Sequence, residues 1–528
     1  MAANDRHTFE KTAFDILDVA DFNERIVGAY NDGSAEEGLF ADDTTARSLI
    51  SAGSGAYRDF SYIAPDIPEF ITENCVGCME CVIQCPDTAI LGKAIPVSKL
   101  QEELDKAKGK GEIFASSWAE TNKYFKGPEK RGLEPAKFGI FVDPTKCKGC
   151  AECVDACGEH NALKMISKED DTIPKYQEAF NFYNQVGPTP DDYIQEKVLA
   201  DMMLAEDSLL YVGGAGSCMG CGEASALRMM LAATGFVYGK ENIGIVASTG
   251  CNTVYGSTYP YNPYLVPWVN SLFENSPAVS MGVRARWDAL GWQDKKLWCL
   301  GGDGSMLDIG FQSLSRMLMS GMNINVMILD TQVYSNTGGQ ASTASFTGQE
   351  AKMSAYGKAK RGKTERRKEM GQIAMMHPDV FVAQTTAAHI NHFYRAIIAA
   401  NEYPGPSVIN VYTTCQPEHG VADDMAMYQA KLAADTRTFP IFIYDPRKGD
   451  TIASRLSLQG NPAQKEDWYT NPKTGEVLDF ITFARSEGRF AKQFDSEGNQ
   501  SEELLRAQED RLQNWRFLQE LAGIQRSE

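Results

Sequence analysis

The chain has 528 residues, 43% of them hydrophobic and 23% charged, the balance of an ordinary globular protein with room for two to four domains. Its net charge of −19 argues against nucleic acid as a main partner. No run of apolar residues is long enough for a membrane span, and the opening Met1-Ala2-Ala3-Asn4-Asp5-Arg6-His7 leads into no apolar core of an export signal. The expected setting is therefore cytoplasmic and reducing, where the thirteen cysteines bind metal more readily than they form disulfides.

In chain order, residues 1–70 read as an N-terminal linker region, with loop chemistry at Gly53, Gly55 and Pro65-Asp66-Ile67-Pro68. Residues 71–165 are cysteine-rich and hold two similar runs separated by an insertion, in which residues 99–110 form a charged helical stretch. Residues 166–208 are a polar connection. From 209 to 445 the texture is α/β: apolar runs at 243–247, 296–300, 324–329 and 407–411 alternate with helical patterns. This predicts a parallel sheet flanked by helices, with ligand loops where glycines follow strands. Residues 446–528 are a polar C-terminal extension. Leu504, Leu505, Leu512 and Leu518 have helical spacing over 502–521, so this end is expected to wrap over the molecule or a partner, or simply to pack as a helix.

The cysteine runs are Cys75-x2-Cys78-x2-Cys81-x3-Cys85-Pro86 and Cys147-x2-Cys150-x2-Cys153-x3-Cys157. Three cysteines two residues apart wrap one cubane, and the fourth reaches a second one. One [4Fe–4S] cluster is thus assigned to Cys75, Cys78, Cys81 and Cys157, the other to Cys147, Cys150, Cys153 and Cys85. The expected fold is a small α+β bacterial-type 2[4Fe–4S] ferredoxin domain, with Gly158 where a proline usually follows the second run. The alternative is a pair of structural zinc sites, but zinc seldom takes a third cysteine at this spacing.

Within the α/β part, Leu300-Gly301-Gly302-Asp303-Gly304-Ser305 follows one strand and Asp330-Thr331-Gln332-Val333 ends the next. A Mg²⁺ bridging the phosphates of thiamine diphosphate wants six hard oxygens. Asp303, Thr331 and the Val333 carbonyl supply three. Gly302, Asp303, Gly304 and Ser305 form the cofactor loop, the glycines letting backbone approach the diphosphate. Gly-Asp-Gly alone is more often a plain turn; its 28-residue spacing from Thr331, together with the loop Tyr334-Ser335-Asn336-Thr337-Gly338-Gly339-Gln340, makes the pattern specific.

These motifs, with Gly216-Ser217-Cys218-Met219-Gly220-Cys221-Gly222-Glu223, Thr249-Gly250-Cys251-Asn252 and Tyr444-Asp445-Pro446-Arg447, make residues 70–447 resemble the C-terminal part of the 2-oxoacid:ferredoxin oxidoreductase family. The resemblance implies a third [4Fe–4S] cluster beside the thiamine, held by Cys218, Cys221, Cys251 and Cys415, with Cys251 also near the cofactor. It implies an active-site role for Asn336, a 2-oxo acid (pyruvate) and coenzyme A as substrates, and ferredoxin or flavodoxin as electron acceptor. The same chemistry on 2-oxoglutarate, a thiamine decarboxylase with a fused ferredoxin module, and a non-catalytic electron-transfer subunit are the competing readings. Asp303 and Thr331 weigh against the last.

The family's second thiamine-type domain and coenzyme A-binding region have no counterpart here. Because the sequence opens on its own methionine, they are expected on a separate subunit, with activity only in the pair and a dimer of such heterodimers as the assembly. Cys299 reads as a packing residue, and His389 and His392 as filler. The basic run at 358–368 reads as a solvated loop, or else as a contact for coenzyme A phosphates or an acidic carrier.

Overall fold

The computed structural model describes residues 18–39, 43–107, 109–355 and 362–526. The two cysteine runs fold alike. The first lies between strand β1 (Asp66–Phe70), helix α1 (Glu80–Gln84) and strand β2 (Ile90–Pro96); after the short strand β3 (Trp118–Ala119) come β4 (Ala136–Val142), α2 (Glu152–Cys157) and β5 (Leu163–Ser167). β1 pairs antiparallel with β5, and β2 with β4, so each half is closed by a strand of the other. Gly77 and Met79 in the first run, and Gly149 and Ala151 in the second, all have left-handed backbone, with φ of 75°, 71°, 71° and 64°. That repeated turn, costly for Met79 and Ala151, makes each loop curl around its own sulfurs. The charged insertion helix covers Val97–Lys106, starting two residues before the predicted stretch and stopping four before its end.

The rest of the chain builds one eight-stranded sheet in the order β13-β12-β10-β11-β9-β8-β6-β7. Its parallel members are β6 (Ile243–Ser248), β7 (Trp268–Ser271), β8 (Lys296–Gly302), β9 (Asn325–Asp330), β10 (Phe381–Thr386) and β11 (Ser407–Tyr412); β12 (Phe442–Tyr444) and β13 (Leu456–Ser457) add antiparallel to one edge. The four apolar runs predicted as strands are β6, β8, β9 and β11. They are apolar without alternation because both faces are buried. Ile245, Trp298, Met327 and Ile409 enter one core, while Val246, Cys299, Val326 and Val408 enter the other. Cys299 is a packing residue, as expected.

Helix α3 (Gly222–Tyr238) is buried over its first fourteen residues, which explains its lack of a polar stripe. It packs on α4 (Ile390–Glu402). The core beneath it is continuous with Met79, Val82, Ile83 and Phe138 of the cysteine-rich part. The join is polar as well. Glu152 of α2 accepts hydrogen bonds from the backbone N–H groups of Ala426 and Met427, at 2.9 and 2.8 Å, at the start of helix α5 (Ala426–Asp435).

The strand β13 belongs to the C-terminal extension, which therefore completes the sheet. Its last helix, α6 (Glu502–Leu521), has the predicted bounds and buries Leu504, Trp515 and Leu518, while Leu505 is exposed. The basic run differs from expectation where it is described. Lys363 is buried and bonds the carbonyls of Thr343 and Ser345 (3.1 and 2.8 Å), and buried Arg367 pairs with Asp330. Burial of unpaired cations is unfavourable, so these side chains fold inward onto acceptors. Lys358 and Lys360 lie outside the described residues.

Candidate functional site

Four neighbouring parallel strands, in the spatial order β6, β8, β9, β11, end in residues singled out above. Cys251 follows β6, Asp303 follows β8, Thr331 follows β9 and Cys415 follows β11. Such carboxyl ends are where open α/β sheets hold ligands.

Asp303 is fully buried. Its Oδ1 accepts from the Thr331 N–H and hydroxyl, both at 3.2 Å, and its Oδ2 accepts from Ser342. The Thr331 Oγ1 also lies 3.1 Å from the Val333 carbonyl oxygen. The Thr331 hydroxyl thus lies from each of the other two oxygens near the roughly 3 Å edge of an octahedron with Mg–O bonds of about 2.1 Å. Gln332, between two of these donors, has left-handed backbone at φ 58°. That conformation, held by hydrogen bonds from Gln349 to its carbonyl (3.0 Å) and from Arg489 to its amide oxygen (3.0 Å), turns the Thr331 hydroxyl and the Val333 carbonyl to one side. Burial pushes the Asp303 carboxyl well above its usual range, and Asp330 pushes it further, against Ser342 and Arg367. A buried carboxylate in this state is one that a cation would stabilise.

A cavity opens beside these oxygens, lined by Gly302, Gly304, Ser305, Thr331, Val333, Asn336, Cys251 and Glu223. Gly302 would direct a Cβ into open space, nearest the Leu329 carbonyl at 3.7 Å, so a side chain there would occupy the room a diphosphate needs. A Cβ on Gly304 would stand 2.4 Å from the Tyr334 ring, so the close packing of that ring by itself excludes a side chain there. The Ser305 hydroxyl donates to the Phe273 carbonyl. Asn336 is exposed at the rim.

The twelve remaining cysteines fall into three groups of four. Cys75, Cys78, Cys81 and Cys157 line one small cavity. Burial pushes the Cys75 thiol up to about 11, and the Gly77 N–H opposes this by bonding its sulfur; Gly149 does the same for Cys147, which burial pushes to about 12. Cys153 is raised by burial and then by Cys150, Cys147 and Cys85, with Cys81 of the first group next in line, so the two groups adjoin. Cys221 is raised by burial, then by Glu223, Cys218 and Cys415, and Cys251 by burial, Glu223, Cys221 and Cys415. Buried thiolates crowded in this way need compensating positive charge. Among the described residues, no three Cys, His, Asp or Glu side chains close on a single point as they would around one metal ion.

Several residues of the site were not singled out from sequence. Glu223, buried at the start of α3, accepts from the Tyr255 hydroxyl (3.3 Å) and is pushed up to about 7 by burial. His419 is buried; its Nε2 lies 2.8 Å from the Thr331 carbonyl oxygen, and its Nδ1 lies 3.4 Å from the Cys415 N–H. It therefore ties the Thr331 loop to a cysteine of the third group. Only Glu223 stood inside a quoted motif; the others carry no local signal.

Residues 248–411 match the family model of the thiamine pyrophosphate enzymes' C-terminal, TPP-binding domain, a stretch that runs from the end of β6 to β11. Among whole proteins, the pyruvate-flavodoxin oxidoreductase of Rhodospirillum rubrum is 28% identical over 543 residues, covering 88% of this chain and 42% of its own length. The pyruvate:ferredoxin oxidoreductase of Moorella thermoacetica is 28% identical over 520 residues, covering 83% and 41%. The resemblance drawn from the motifs thus extends over most of the chain, and the chain spans about two fifths of the length of these relatives. A solved 2-oxoglutarate:ferredoxin oxidoreductase from Magnetococcus marinus aligns with 41% of this chain and 69% of that chain, at 21% identity and a TM-score of 0.35.

Proposed function

We propose that this chain is the cluster-carrying, diphosphate-gripping part of a pyruvate:ferredoxin or pyruvate:flavodoxin oxidoreductase. It would hold thiamine diphosphate, Mg²⁺ and three [4Fe–4S] clusters. The observation that carries this reading is the alignment of Asp303, Thr331 and the Val333 carbonyl on two neighbouring strand ends, with Cys251 and Cys415 on the strands either side. The names of the relatives favour pyruvate as the substrate and a low-potential carrier as the acceptor.

Thiamine diphosphate, when bound, supplies an electron sink for decarboxylation of a 2-oxo acid. Asp303, Thr331 and the Val333 carbonyl would hold its magnesium, and Gly302 leaves the space for its phosphates. Glu223 closes the cavity on the side of the third cysteine group, and Asn336 at the mouth is placed to meet substrate. Cys218, Cys221, Cys251 and Cys415 would hold the first cluster. The other two foursomes would make the rest of the ferredoxin-type conduit. The pyrimidine-side domain and the coenzyme A site would lie outside these 528 residues.

Anaerobic purification followed by iron, sulfide and thiamine analysis tests the reading. It should yield about twelve iron and twelve sulfide per chain, from three four-iron clusters. Zinc in place of iron refutes it, and about eight iron removes the third cluster. The chain alone should show no pyruvate- and coenzyme A-dependent viologen reduction. Activity without any second polypeptide would overturn the proposed division of the site.

A further inference from the structure

The C-terminal extension runs on past the last motif, Tyr444-Asp445-Pro446-Arg447, and folds back behind the Thr331 loop. Arg489 stands in a 3-10 helix over Gly488–Gln493 and is 4% exposed. Its Nη2 donates to the Gln332 amide oxygen at 3.0 Å, and its Nε donates to Glu487 Oε2 at 2.6 Å. Glu487 is 2% exposed. Its Oε1 accepts from the hydroxyl of Tyr412, the last residue of β11, at 3.0 Å.

The same segment is sewn to the loop on the far side of Gln332. The Glu350 N–H donates to the Arg489 carbonyl at 2.9 Å, and the Gln493 amide donates to the Gly348 carbonyl at 2.8 Å. That loop carries Ser345 and Gln349, both of which donate to the Gln332 carbonyl. Within it, Phe346 packs against Phe480, Phe483 and Phe490 of the extension, with ring centroids 5.7, 6.2 and 6.4 Å away. A Cβ on Gly420 would sit 2.9 Å from the Gly488 Cα, so the extension also meets the chain after Cys415 with no side chain between them.

What these contacts hold is a costly conformation. Gln332 is fully buried at φ 58°, and such backbone is disfavoured about tenfold or more for a residue other than glycine. Its side chain is engaged at both ends, Nε2 donating to Asp330 Oδ1 at 3.2 Å while Oε1 accepts from Arg489. Relaxing Gln332 to ordinary backbone would move the Val333 carbonyl relative to the Thr331 hydroxyl.

We propose that the C-terminal extension, through Arg489 and its partner Glu487, clasps Gln332 in its left-handed backbone and so fixes the Thr331 hydroxyl and the Val333 carbonyl for Mg²⁺ before the cofactor arrives. This rests on the proposed function, which makes those two groups magnesium donors. Arg489 and Glu487 are positioning residues that act through Gln332.

The test is calorimetric binding of thiamine diphosphate to the full chain, purified anaerobically with its clusters, in Mg²⁺ and separately in Ca²⁺. The main variant is E487Q/R489M, which removes both charges together and leaves no buried ion unpaired. With Gln332 relaxed in about nine molecules of ten, apparent affinity in Mg²⁺ should fall about tenfold. Ca²⁺ takes longer bonds and tolerates irregular geometry, so its loss should be smaller and the preference for Mg²⁺ should narrow. A merely structural loss would weaken both cations alike. Gln332→Ala breaks the same contact and leaves the Glu487–Arg489 pair in place. It should weaken binding in Mg²⁺ too, and adding E487Q/R489M to it should cost nothing further. In the cofactor-free chain, hydrogen exchange of E487Q/R489M should lose protection over residues 331–349 and keep it in β6 and β8. Unchanged affinity in E487Q/R489M, equal losses with the two cations, losses that multiply when the variants are combined, or protection lost throughout the sheet would overturn the proposal. A wild-type chain that binds no thiamine diphosphate in Mg²⁺ marks failure of the functional reading and takes the clasp with it; failure of the clasp alone appears as wild type and variant binding equally.

Discussion

Asp303→Asn separates the cost of a buried carboxylate from its use. In the metal-free chain Asp303 is fully buried, faces Asp330, and has hydrogen bonds from Thr331 and Ser342 but no cation of its own. Its folded-state pKa is raised above the unfolded value near 3.9. The folded state therefore binds the proton more tightly, and stability is fully present below that unfolded value and falls as pH rises towards the folded one. Asparagine has the same shape and no charge. Replacing this buried carboxylate with a neutral isostere should stabilise the apo-protein at neutral pH and flatten the fall of its stability above about pH 4. With cofactor the sign reverses. Ligand at a hundred times Kd adds about 2.7 kcal/mol, and the variant, lacking the anionic magnesium ligand, should gain none of it. The assay is thermal unfolding over a pH series, with and without Mg²⁺ and thiamine diphosphate, at constant cluster content. Equal cofactor-induced stabilisation in wild type and variant would refute the assignment of Asp303.

Gly304→Ala should weaken thiamine diphosphate binding at least about tenfold, or about 1.4 kcal/mol, because the new methyl displaces Tyr334; iron content should not change, and normal cofactor affinity in a titration would show that the ring yields freely. His419 has its pKa driven well below the usual value by burial, with Arg489 adding to this. A depressed folded-state pKa gives stability that is present above the unfolded value near 6.5 and is lost as pH falls below it. His419→Gln should therefore unfold with a shallower pH dependence between about pH 7 and 5 than wild type, as measured by denaturant midpoints; an identical slope would refute this. Trp515→Ala removes a fully buried indole that donates to the Glu466 carbonyl at 2.8 Å and stacks under Arg437 at 4.2 Å. The expected cost is about 3–5 kcal/mol, read from the same unfolding curves, and a change below about 1 kcal/mol would mean that the C-terminal helix is peripheral to the fold.

What could be read without the structure was whatever repeats or contrasts locally. Strands β6, β8, β9 and β11 were legible because burial on both faces leaves uninterrupted apolar runs, and the cysteine loops because their spacing is the site. Asp303 and Thr331 were legible because neighbouring parallel strands are separated by one crossover. What stayed hidden was tertiary. Ser342 reaches Asp303 across 39 residues and Lys148 reaches Ser217 across 69, and no periodicity records such pairs. The basic run misled because charge predicts solvation only when acceptors are absent, and the carbonyls of Thr343 and Ser345 and the Asp330 carboxylate were waiting for Lys363 and Arg367. At Gly304 an aromatic ring thirty residues away in sequence, Tyr334, stands where a side chain would go, a constraint with no local trace.

The four strand ends carry a metric consequence. Hydrogen-bonded strands repeat at about 4.8 Å, a distance fixed by peptide geometry and indifferent to side chains. The strands that Cys251 and Cys415 follow lie three such repeats apart, and Asp303 and Thr331 follow the two strands between them. The spacing of the strand ends from which these residues start is therefore ruled by the backbone, as divisions are ruled on a scale. Loops on this face can change in length or chemistry and leave that interval unaltered, whereas a change in strand order would alter it by whole divisions.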